Sequence, residues 1–441
     1  MDPRNTPVST TNPQALAHYE TALKRFQTYF GDPIAAIDAA ITEAPDFVVA
    51  HLFKSAAFYL ATEQRTYATA QAHLEKARDY LHQANDREQH LFQAIELLVN
   101  GKWQSAGLAF DRLLQAYPTD VFALQCAHVL DFFRGDALNL RNRPARLLPL
   151  WDKDQPGYAY LLGTYAFGLE ECNQYAQAET TGLAALEMNP VNPWCIHAVT
   201  HVYEMQDRTP EGIVFLEERY IDWAPDNGFA YHNWWHLTLF YLEQNNIDKV
   251  LTLVDEKIFA DVSDSLVLLD ITAMLWRLYL LGIDVEARCQ QLAEVWASKQ
   301  QEAGFYAFND YHAALSFAAT GATDLLADLL SHLQHRLSNP DNKLIPEANR
   351  SMTEEIGLPL IQATQHYVNE DYRHACELML KVRDRAYRFG GSHAQRDIIN
   401  LTLLSAAAKS GDTKLSRYLL NERQMNKPIA TLGQRIVAAA V

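Results

Sequence analysis

The stretch "LVNGKWQSAGLAFDRLLQAYP", residues 98–118, decides which fold this chain is expected to adopt. Gly101 falls between two apolar helical patterns, and Ala106 and Phe110 then follow on one face of the second pattern. The small Ala106 lets this helix approach the one before it, whereas Phe110 fills the seam between the two. Pro118 ends the pattern, since proline cannot continue a helix. The stretch therefore predicts the second half of a helical hairpin.

The same order of aromatic, small and bulky residues recurs along the chain. It is found in "RTYATAQAHLEKA" (65–77), in "YLLGTYAFGLEECNQYAQAETTGLAALEMNP" (160–190) and in "EDYRHACELMLKV" (370–382). The matching positions are Tyr67, Ala70 and Leu74; Tyr175, Ala178 and Gly182; and Tyr372, Ala375 and Met379. Gly182 departs from the order, because glycine leaves the bulky position empty. This order matches the second half of a tetratricopeptide repeat. It predicts an all-α protein, a tetratricopeptide-type α-solenoid that winds as a right-handed superhelix of about ten helical hairpins.

The domain organisation follows from where the helical period stops. Residues 1–12 are polar without a period, so we expect a mobile N-terminal tail followed by a single superhelical domain over residues 13–441. Irregular connections are expected at residues 134–158 and 335–357. The second connection is rich in Asn, Pro and Ser, so a subdivision of the superhelix near residues 335–355 is an alternative to one loop.

Charge and hydropathy restrict the classes of partner. The formal net charge of −17, from 54 acidic and 37 basic side chains, would repel nucleic-acid phosphates and anionic lipid headgroups. No window approaches the roughly 18 consecutive apolar residues that a membrane-spanning helix needs. The first residues, "MDPRNTPVSTTNPQAL", lack a basic start followed by an apolar core. We therefore expect no nucleic acid, no membrane and a cytoplasmic location.

The cysteines give no sign of a disulfide framework or of a cysteine zinc site. They are odd in number, far apart and without Cys-x-x-Cys spacing: Cys126, Cys172, Cys195, Cys289 and Cys376. Buried reduced thiols are the simplest interpretation.

Two His-x-x-x-His pairs lie inside apolar helical patterns. His197 and His201 form the first pair, and His232 and His236 form the second, 35 residues later. Residues three and four apart share one face of a helix, so each pair forms a stripe, and Glu204 extends the stripe of the first pair. The offset of 35 residues is close to one repeat. We therefore expect all five side chains to converge on one patch of neighbouring inner helices.

Three interpretations of this patch stay open. The histidines can be core residues that bond to backbone carbonyls, they can face a ligand, or they can share a divalent ion, most suitably zinc, with Glu204. The His-Glu-x-x-His motif is absent, since Ala198, Val199 and Thr200 fill the gap in the first pair. We assign the patch to ligand binding, with no metal ligands and no cofactor.

Two further stretches carry residues that could act in binding. In "FNDYH" (308–312), Asp310 and His312 lie at the start of a helix, where Asn or Asp can instead cap backbone amides. In "GGSHAQRD" (390–397), Ser392 is a predicted N-cap that is followed by His393, Arg396 and Asp397. These groups can bind an anion at the helix start, or Arg396 can pair with a carboxylate and lock two repeats together.

Several stretches resemble the tetratricopeptide repeat protein 38 family and its bacterial relatives. They are "YAFGLEE", "HAVTHVYEMQ", "HNWWHL", "FNDYHAALSFAATG" and "GGSHAQRD". The resemblance extends from about Tyr158 to Ala439, and more weakly over the N-terminal third. It implies an all-helical repeat protein and no particular reaction.

The function expected from these features is binding in a concave groove. A peptide, a protein tail or a small polar molecule would contact the patch formed by His197, His201, Glu204, His232, His236, Asp310, His312, His393, Arg396 and Asp397. The alternative is a hydrolase-like enzyme that uses the same histidines for metal-assisted or acid–base chemistry. No residue is assigned a catalytic role, and the oligomeric state is left open.

Overall fold

The structure, a computed structural model, describes residues 1–259, 262–339 and 346–440. Within these ranges every regular element is a helix, and extended pairing is limited to one isolated bridge between Phe30 and Asn227. The apolar residues recur every three or four positions, which allows each helix to bury one face. The predicted all-α fold class is confirmed.

The chain forms its helices in short succession. The first eleven are α1 (Pro13–Thr28), α2 (Pro33–Glu43), α3 (Val48–Tyr59), α4 (Gln64–Asp79), α5 (Asp86–Val99), α6 (Trp103–Ala116), α7 (Val121–Phe133), α8 (Ala137–Leu147), α9 (Tyr158–Glu171), α10 (Tyr175–Met188) and α11 (Pro193–Met205). They are followed by α12 (Thr209–Glu218), α13 (Tyr220–Trp223), α14 (Ala230–Glu243), α15 (Ile247–Leu253), α16 (Ser265–Leu280), α17 (Glu286–Ser298), α18 (Ala307–Ala319), α19 (Thr323–Ser338), α20 (Glu347–Met352), α21 (Leu358–Val368), α22 (Tyr372–Val382), α23 (His393–Lys409), α24 (Thr413–Asn426) and α25 (Leu432–Ala440).

The contacts between Cα atoms divide the chain into two compact units. Unit 1 comprises Met1–Val199, Arg219–Ala230 and Pro346–Ala348. Unit 2 comprises Thr200–Glu218, Tyr231–Ile345 and Asn349–Val441. The single domain over residues 13–441 stays a prediction, as does the alternative subdivision near residues 335–355, of which residues 340–345 lie outside the described residues.

Unit 1 is built of helical hairpins whose helices approach closely. The pairs α1 with α2, α3 with α4, α5 with α6 and α9 with α10 each pack along their length. Ala70, Ala106 and Ala178, the predicted small positions of three second helices, are fully buried. Gly101 has a φ of +73°, as the predicted turn after α5 requires. The repeat pattern therefore identified three of these hairpins correctly, those of α3 with α4, α5 with α6 and α9 with α10.

Unit 2 centres on the long apolar helix α16, which packs against α18 and α23. Helices α21 and α22 form a hairpin in which Ala375 and Met379 are fully buried at their predicted places. Gly212 of α12 lies so close to the ring of Phe240 that a Cβ atom there would be 2.3 Å from it. Small residues thus set the helix spacing in this unit too.

The segment 134–158, expected to be irregular, instead contains α8. Its sequence has few core-facing apolar residues, because the buried Arg143 occupies one of those places. The Arg143 guanidinium pairs with Asp131 at 2.8 Å and with Asp111 at 2.5 Å. Because an arginine lies on the buried face, the apolar residues of α8 do not recur at helical spacing, and the sequence pattern therefore did not predict a helix here.

The N-terminal residues contact the rest of unit 1. Asp2, Arg4 and Thr6 are buried, and Arg4 pairs with Asp2 at 2.6 Å and with Glu20 at 2.7 Å. Ser9 donates hydrogen bonds to Glu88. The mobility expected for residues 1–12 is a statement about motion and stays a prediction.

Among the described residues, no helix combines the length and the apolar character that crossing a membrane demands.

At Gly168 of α9, the neighbouring helix α8 approaches with its backbone. A Cβ atom there would lie 2.3–2.4 Å from the backbone of Leu140 and Arg141 in α8. We expect Gly168→Ala to destabilise the protein by about 1–3 kcal/mol or more, because backbone atoms cannot move aside as side chains do. Urea denaturation would measure the loss.

Gly107→Ala is the matched control for that substitution. Gly107 is also helical, but its Cβ would meet only the flexible end of Arg134, at 2.8 Å. A gain in helix propensity of about 1 kcal/mol should offset that contact. Equal losses for the two variants would contradict the close-approach argument.

Candidate functional site

Three histidines and two carboxylates meet in the interior of unit 2. We call His201, His232, His236, Glu204 and Asp270 the histidine centre. His201 and Glu204 come from α11, the other two histidines lie one turn apart on α14, and Asp270 comes from α16. All five side chains are buried, with His201, His236 and Asp270 at 0% exposure. Four of the five residues expected to converge are thus brought together within this unit.

Each histidine of α14 is held by its own carboxylate. His236 Nδ1 lies 2.9 Å from Glu204 Oε2, and His232 Nδ1 lies 2.6 Å from Asp270 Oδ2. Gln395 Nε2 donates to the second oxygen of Asp270 at 3.2 Å. A carboxylate accepts, so each Nδ1 carries a hydrogen, and a ring without a second proton then has its lone pair on Nε2.

The three imidazoles lie close enough to act on one atom. The ring centroids of His201 and His236 are 4.4 Å apart, and those of His232 and His236 are 4.8 Å apart. One nitrogen from each of the three rings can be chosen so that all lie within 4.8 Å of one another. This spacing is suitable for a shared ion.

The surroundings of these rings are largely apolar and aromatic. Trp235, which is fully buried, stacks on His232 with ring centroids 5.3 Å apart and an interplanar angle of 14°. Burial, followed by the neighbouring His201 and His232, lowers the pKa of His236 well below its ordinary value. His236 is therefore neutral at physiological pH.

A cleft lined by charged side chains begins at Glu204. It has about 360 Å³ of space that atoms do not fill, its open mouth included. We call it the charged cleft. Its lining residues come from α11, α12, α14, α16 and α23–α25 and from the connections between them: Glu204, Asp207, Thr209, Leu239, Phe240, Glu243, Arg277, Asp397, Arg423, Lys427 and Leu432.

Most charges in the charged cleft are paired with each other. Arg423 Nη1 lies 2.5 Å from Asp397, and Lys427 Nζ lies 3.6 Å from Glu204 Oε1. Burial alone would raise the pKa of Asp397, but Arg423, Lys427 and Arg277 together lower it to about 2. Asp397 is therefore an anion at any physiological pH.

Arg277 is the exception among these charges. Its side chain is 1% exposed and donates to the carbonyls of Ala273 at 2.9 Å and Ala394 at 3.0 Å. The guanidinium also lies 5.5 Å from the ring centre of Trp235. Among the described residues no carboxylate lies within ion-pair distance of it. Burial lowers its pKa, and the more distant Asp397 and Glu204 only partly compensate.

His197, the fifth residue expected in the patch, belongs to unit 1. It lies one turn before His201 on α11. Its ring centroid is 5.0 Å from that of Phe167 and 5.1 Å from that of Phe229, both in unit 1. Its surroundings in this unit are therefore aromatic.

Asp310 and His312 bond to the backbone of their own segment. Asp310 accepts the Gly304 N–H with both carboxylate oxygens, at 3.2 and 3.0 Å, and so holds the loop before α18. His312, at 0% exposure, bonds through Nδ1 to the carbonyl of Phe308 at 2.8 Å. The backbone-bonded interpretation, offered for the paired histidines, thus describes His312.

The start of α23 has the predicted N-cap. Ser392 accepts from the Gln395 N–H, and Gln395 reaches back to the Ser392 N–H, which completes a capping box. Arg396 donates to the carbonyls of Gly390 and Gly391 and contacts His393 Nδ1 at 3.3 Å. The Asp397 carboxylate bonds to Arg423 of α24 at 2.5 Å. The two roles expected for Arg396 stay predictions.

Sequence reasoning missed Asp270, Arg277, Arg423 and Lys427. The first two left a recognisable signal, since they interrupt the otherwise apolar run "SLVLLDITAMLWRLYLLGID" at two positions seven residues apart. Charged residues are seldom fully buried without a partner or a role. Arg423 lies in the polar helix α24, Lys427 directly follows that helix, and neither left such a signal.

Comparisons with known proteins add little to this geometry. No family model matches the chain. Among solved structures, the chain is similar to the crystal structure at 2.5 Å of the P58(IPK) TPR domain, with 14% sequence identity and a TM-score of 0.22, over 93% of this chain and 99% of that chain. Similarity at this level identifies neither a partner nor an activity.

The buried carboxyl of Asp310 should make stability depend on pH. Burial raises its pKa to about 7, although the Gly304 amide and Arg336 oppose the rise. The unfolded value is about 3.9, so the folded state binds more protons between about pH 4 and about 7, and stability falls as the pH rises through that window. Asp310→Asn, which keeps an acceptor for Gly304, should be more stable than the wild type at pH 8 and not at pH 4.

Urea denaturation at the two pH values measures this difference. Asp384→Asn serves as the control, because the Asp384 carboxyl is 90% exposed. A midpoint for Asp310→Asn that follows the wild type at both pH values would show that Asp310 titrates normally.

Proposed function

We propose that the charged cleft of unit 2 binds a small carboxylate-bearing molecule, with Arg277 as the residue that takes the carboxylate. This narrows the peptide, protein tail or small polar molecule expected from the sequence to a compact anion. Membership of the tetratricopeptide repeat protein 38 family is part of the same proposal and is supported by the quoted stretches.

The buried charge of Arg277 carries this proposal. A guanidinium keeps its proton at any physiological pH and loses much of its hydration energy when it is 1% exposed. Two carbonyls and the face of Trp235 compensate only part of that loss. Arginine presents a planar fork that matches a carboxylate with two parallel hydrogen bonds. An anionic ligand in the cleft would complete the missing ion pair.

The rest of the lining limits what else the ligand can be. The enclosed part of the cleft has room for about one water-sized group, so a ligand would place only its carboxylate inside and extend through the open mouth. Leu239, Phe240 and Leu432 supply apolar contacts, while Glu204 and Glu243 can accept hydrogen bonds from the ligand. A small molecule with a carboxylate at one end and a donor group at the other fits these features.

The hydrolase-like alternative stays a hypothesis. The histidine centre contains imidazoles beside carboxylates, an arrangement that suits proton transfer, but no side chain of the described residues is thereby assigned a catalytic step. Binding of a carboxylate in the charged cleft requires only Arg277 and the other lining residues of that cleft.

The experiment is isothermal titration and thermal shift against a panel of small carboxylates, phosphate esters and uncharged amides. We expect carboxylates to bind and to raise the melting temperature of the wild type, since a ligand of the folded state stabilises it by mass action. Arg277→Met should weaken that binding by at least about 100-fold, because a charge-assisted pair to a buried guanidinium is worth about 3 kcal/mol. The variant should still fold, because replacing a buried unpaired charge by an apolar side chain is often neutral or stabilising.

Arg288→Met is the matched control. Arg288 also belongs to unit 2, but it is 30% exposed and pairs with Asp255 at 2.6 Å. Arg288→Met should bind carboxylates as tightly as the wild type. The affinity of Arg277→Lys for carboxylates should lie between the affinities of Arg277→Met and Arg288→Met. The proposal fails if only phosphate esters or amides bind, or if Arg277→Met binds carboxylates as tightly as the wild type.

A further inference from the structure

We infer that His201, His232 and His236 form a binding site for a divalent transition-metal ion. A set of three imidazole ligands is typical of zinc. Three imidazoles would hold the ion, and its fourth position would take water or a ligand atom. This inference goes beyond binding in the charged cleft and does not depend on it, because it rests on the histidine centre alone.

The spacing of the three rings fits a tetrahedral ion. Zinc–nitrogen bonds of about 2.0–2.1 Å place the nitrogens of a tetrahedral site about 3.4 Å apart. The candidate nitrogens of the three rings already lie within 4.8 Å of one another. The rings therefore need to approach each other by at most about 1.4 Å, which small side-chain rotations on α11 and α14 can supply.

The two carboxylates add an independent observation. A histidine that binds a metal usually donates its other ring N–H to a carboxylate or a carbonyl, which fixes the tautomer and the ring orientation. Asp270 does this for His232 at 2.6 Å, and Glu204 does it for His236 at 2.9 Å. Both rings would thus offer Nε2 to the ion. A core histidine needs no such pair of carboxylates on two different helices.

The charge around the rings also favours a cation. Asp270 and Glu204 place two buried carboxylates beside the imidazoles of His232 and His236. Gln395 is neutral, the Lys427 ammonium lies 3.6 Å from Glu204, and Arg277 acts on both carboxylates from beyond ion-pair distance. An ion on the Nε2 side would compensate the buried negative charge through both rings. It would also strengthen both hydrogen bonds.

A second histidine cluster in unit 2 differs from the histidine centre in burial. His366 and His374 both contact Asp371 Oδ2, at 3.0 and 2.7 Å, on an exposed part of the surface. Asp371 is the N-cap of α22, which explains its position without an ion. This cluster supplies a control for metal that binds at the surface.

The test measures zinc on protein that has been purified without a histidine tag, stripped with a chelator and dialysed. We expect one equivalent of Zn²⁺ per chain by elemental analysis, and Co²⁺ in its place should give the absorption of a tetrahedral site. His201→Gln and His236→Gln should each lose that equivalent. Asp270→Asn and Glu204→Gln should keep the ligands but weaken zinc binding by about 10–100-fold, as loss of an orienting carboxylate does elsewhere.

The double variant His366→Gln/His374→Gln should retain the full equivalent of zinc. Stripped wild type that takes up no Zn²⁺ would overturn the inference, and so would uptake that this double variant abolishes. Uptake that is unchanged by Asp270→Asn would reject the role of the carboxylates, and this result remains informative if a histidine variant does not fold. Arg277→Met should still take up one equivalent of Zn²⁺, because it keeps all three imidazoles, so failure of the metal site and failure of carboxylate binding can be told apart.

Discussion

The close approach of neighbouring helices is the constraint on which the rest of this structure depends. Alanines such as Ala70, Ala106 and Ala375 are fully buried where two helices meet, and at Gly168 even one added carbon would collide with a backbone. Close-packed interiors leave side chains little freedom to change position. Helices that are fixed at this spacing hold the groups between them in defined places, and that includes the polar groups of unit 2.

Because the helices are fixed in position, unit 2 can hold charged side chains in its interior next to their partners. Asp270 is held by His232 and Gln395, and Asp397 is held by Arg423. Arg277 departs from this pairing, because carbonyls and an aromatic face serve where a carboxylate would be expected. A buried charge without an ion pair lowers stability, and such costs are typical of residues that are kept for binding.

Glu204 links the two functional features of unit 2. One of its oxygens contacts His236 at 2.9 Å, and the other faces Lys427 at 3.6 Å in the charged cleft. A change of charge in the cleft therefore acts on a carboxylate that also orients an imidazole. In a buried environment such an effect is weakly screened. The histidine centre and the charged cleft are thus electrostatically coupled even though each is proposed to bind a different species.

Local residue spacing was enough to predict the helical fold class, the small residues at the helix contacts and the Ser392 cap. It also predicted that the two histidines of each pair share one helix face. It did not predict α8, where Arg143 replaced an apolar residue on the buried face. Which side chains pair with the buried charges depends on how distant helices pack together, and local spacing does not contain that information. Asp270 and Gln395, for example, are 125 residues apart in the sequence. A charged residue inside an apolar helix indicates that its charge is buried, but not which distant side chain compensates it.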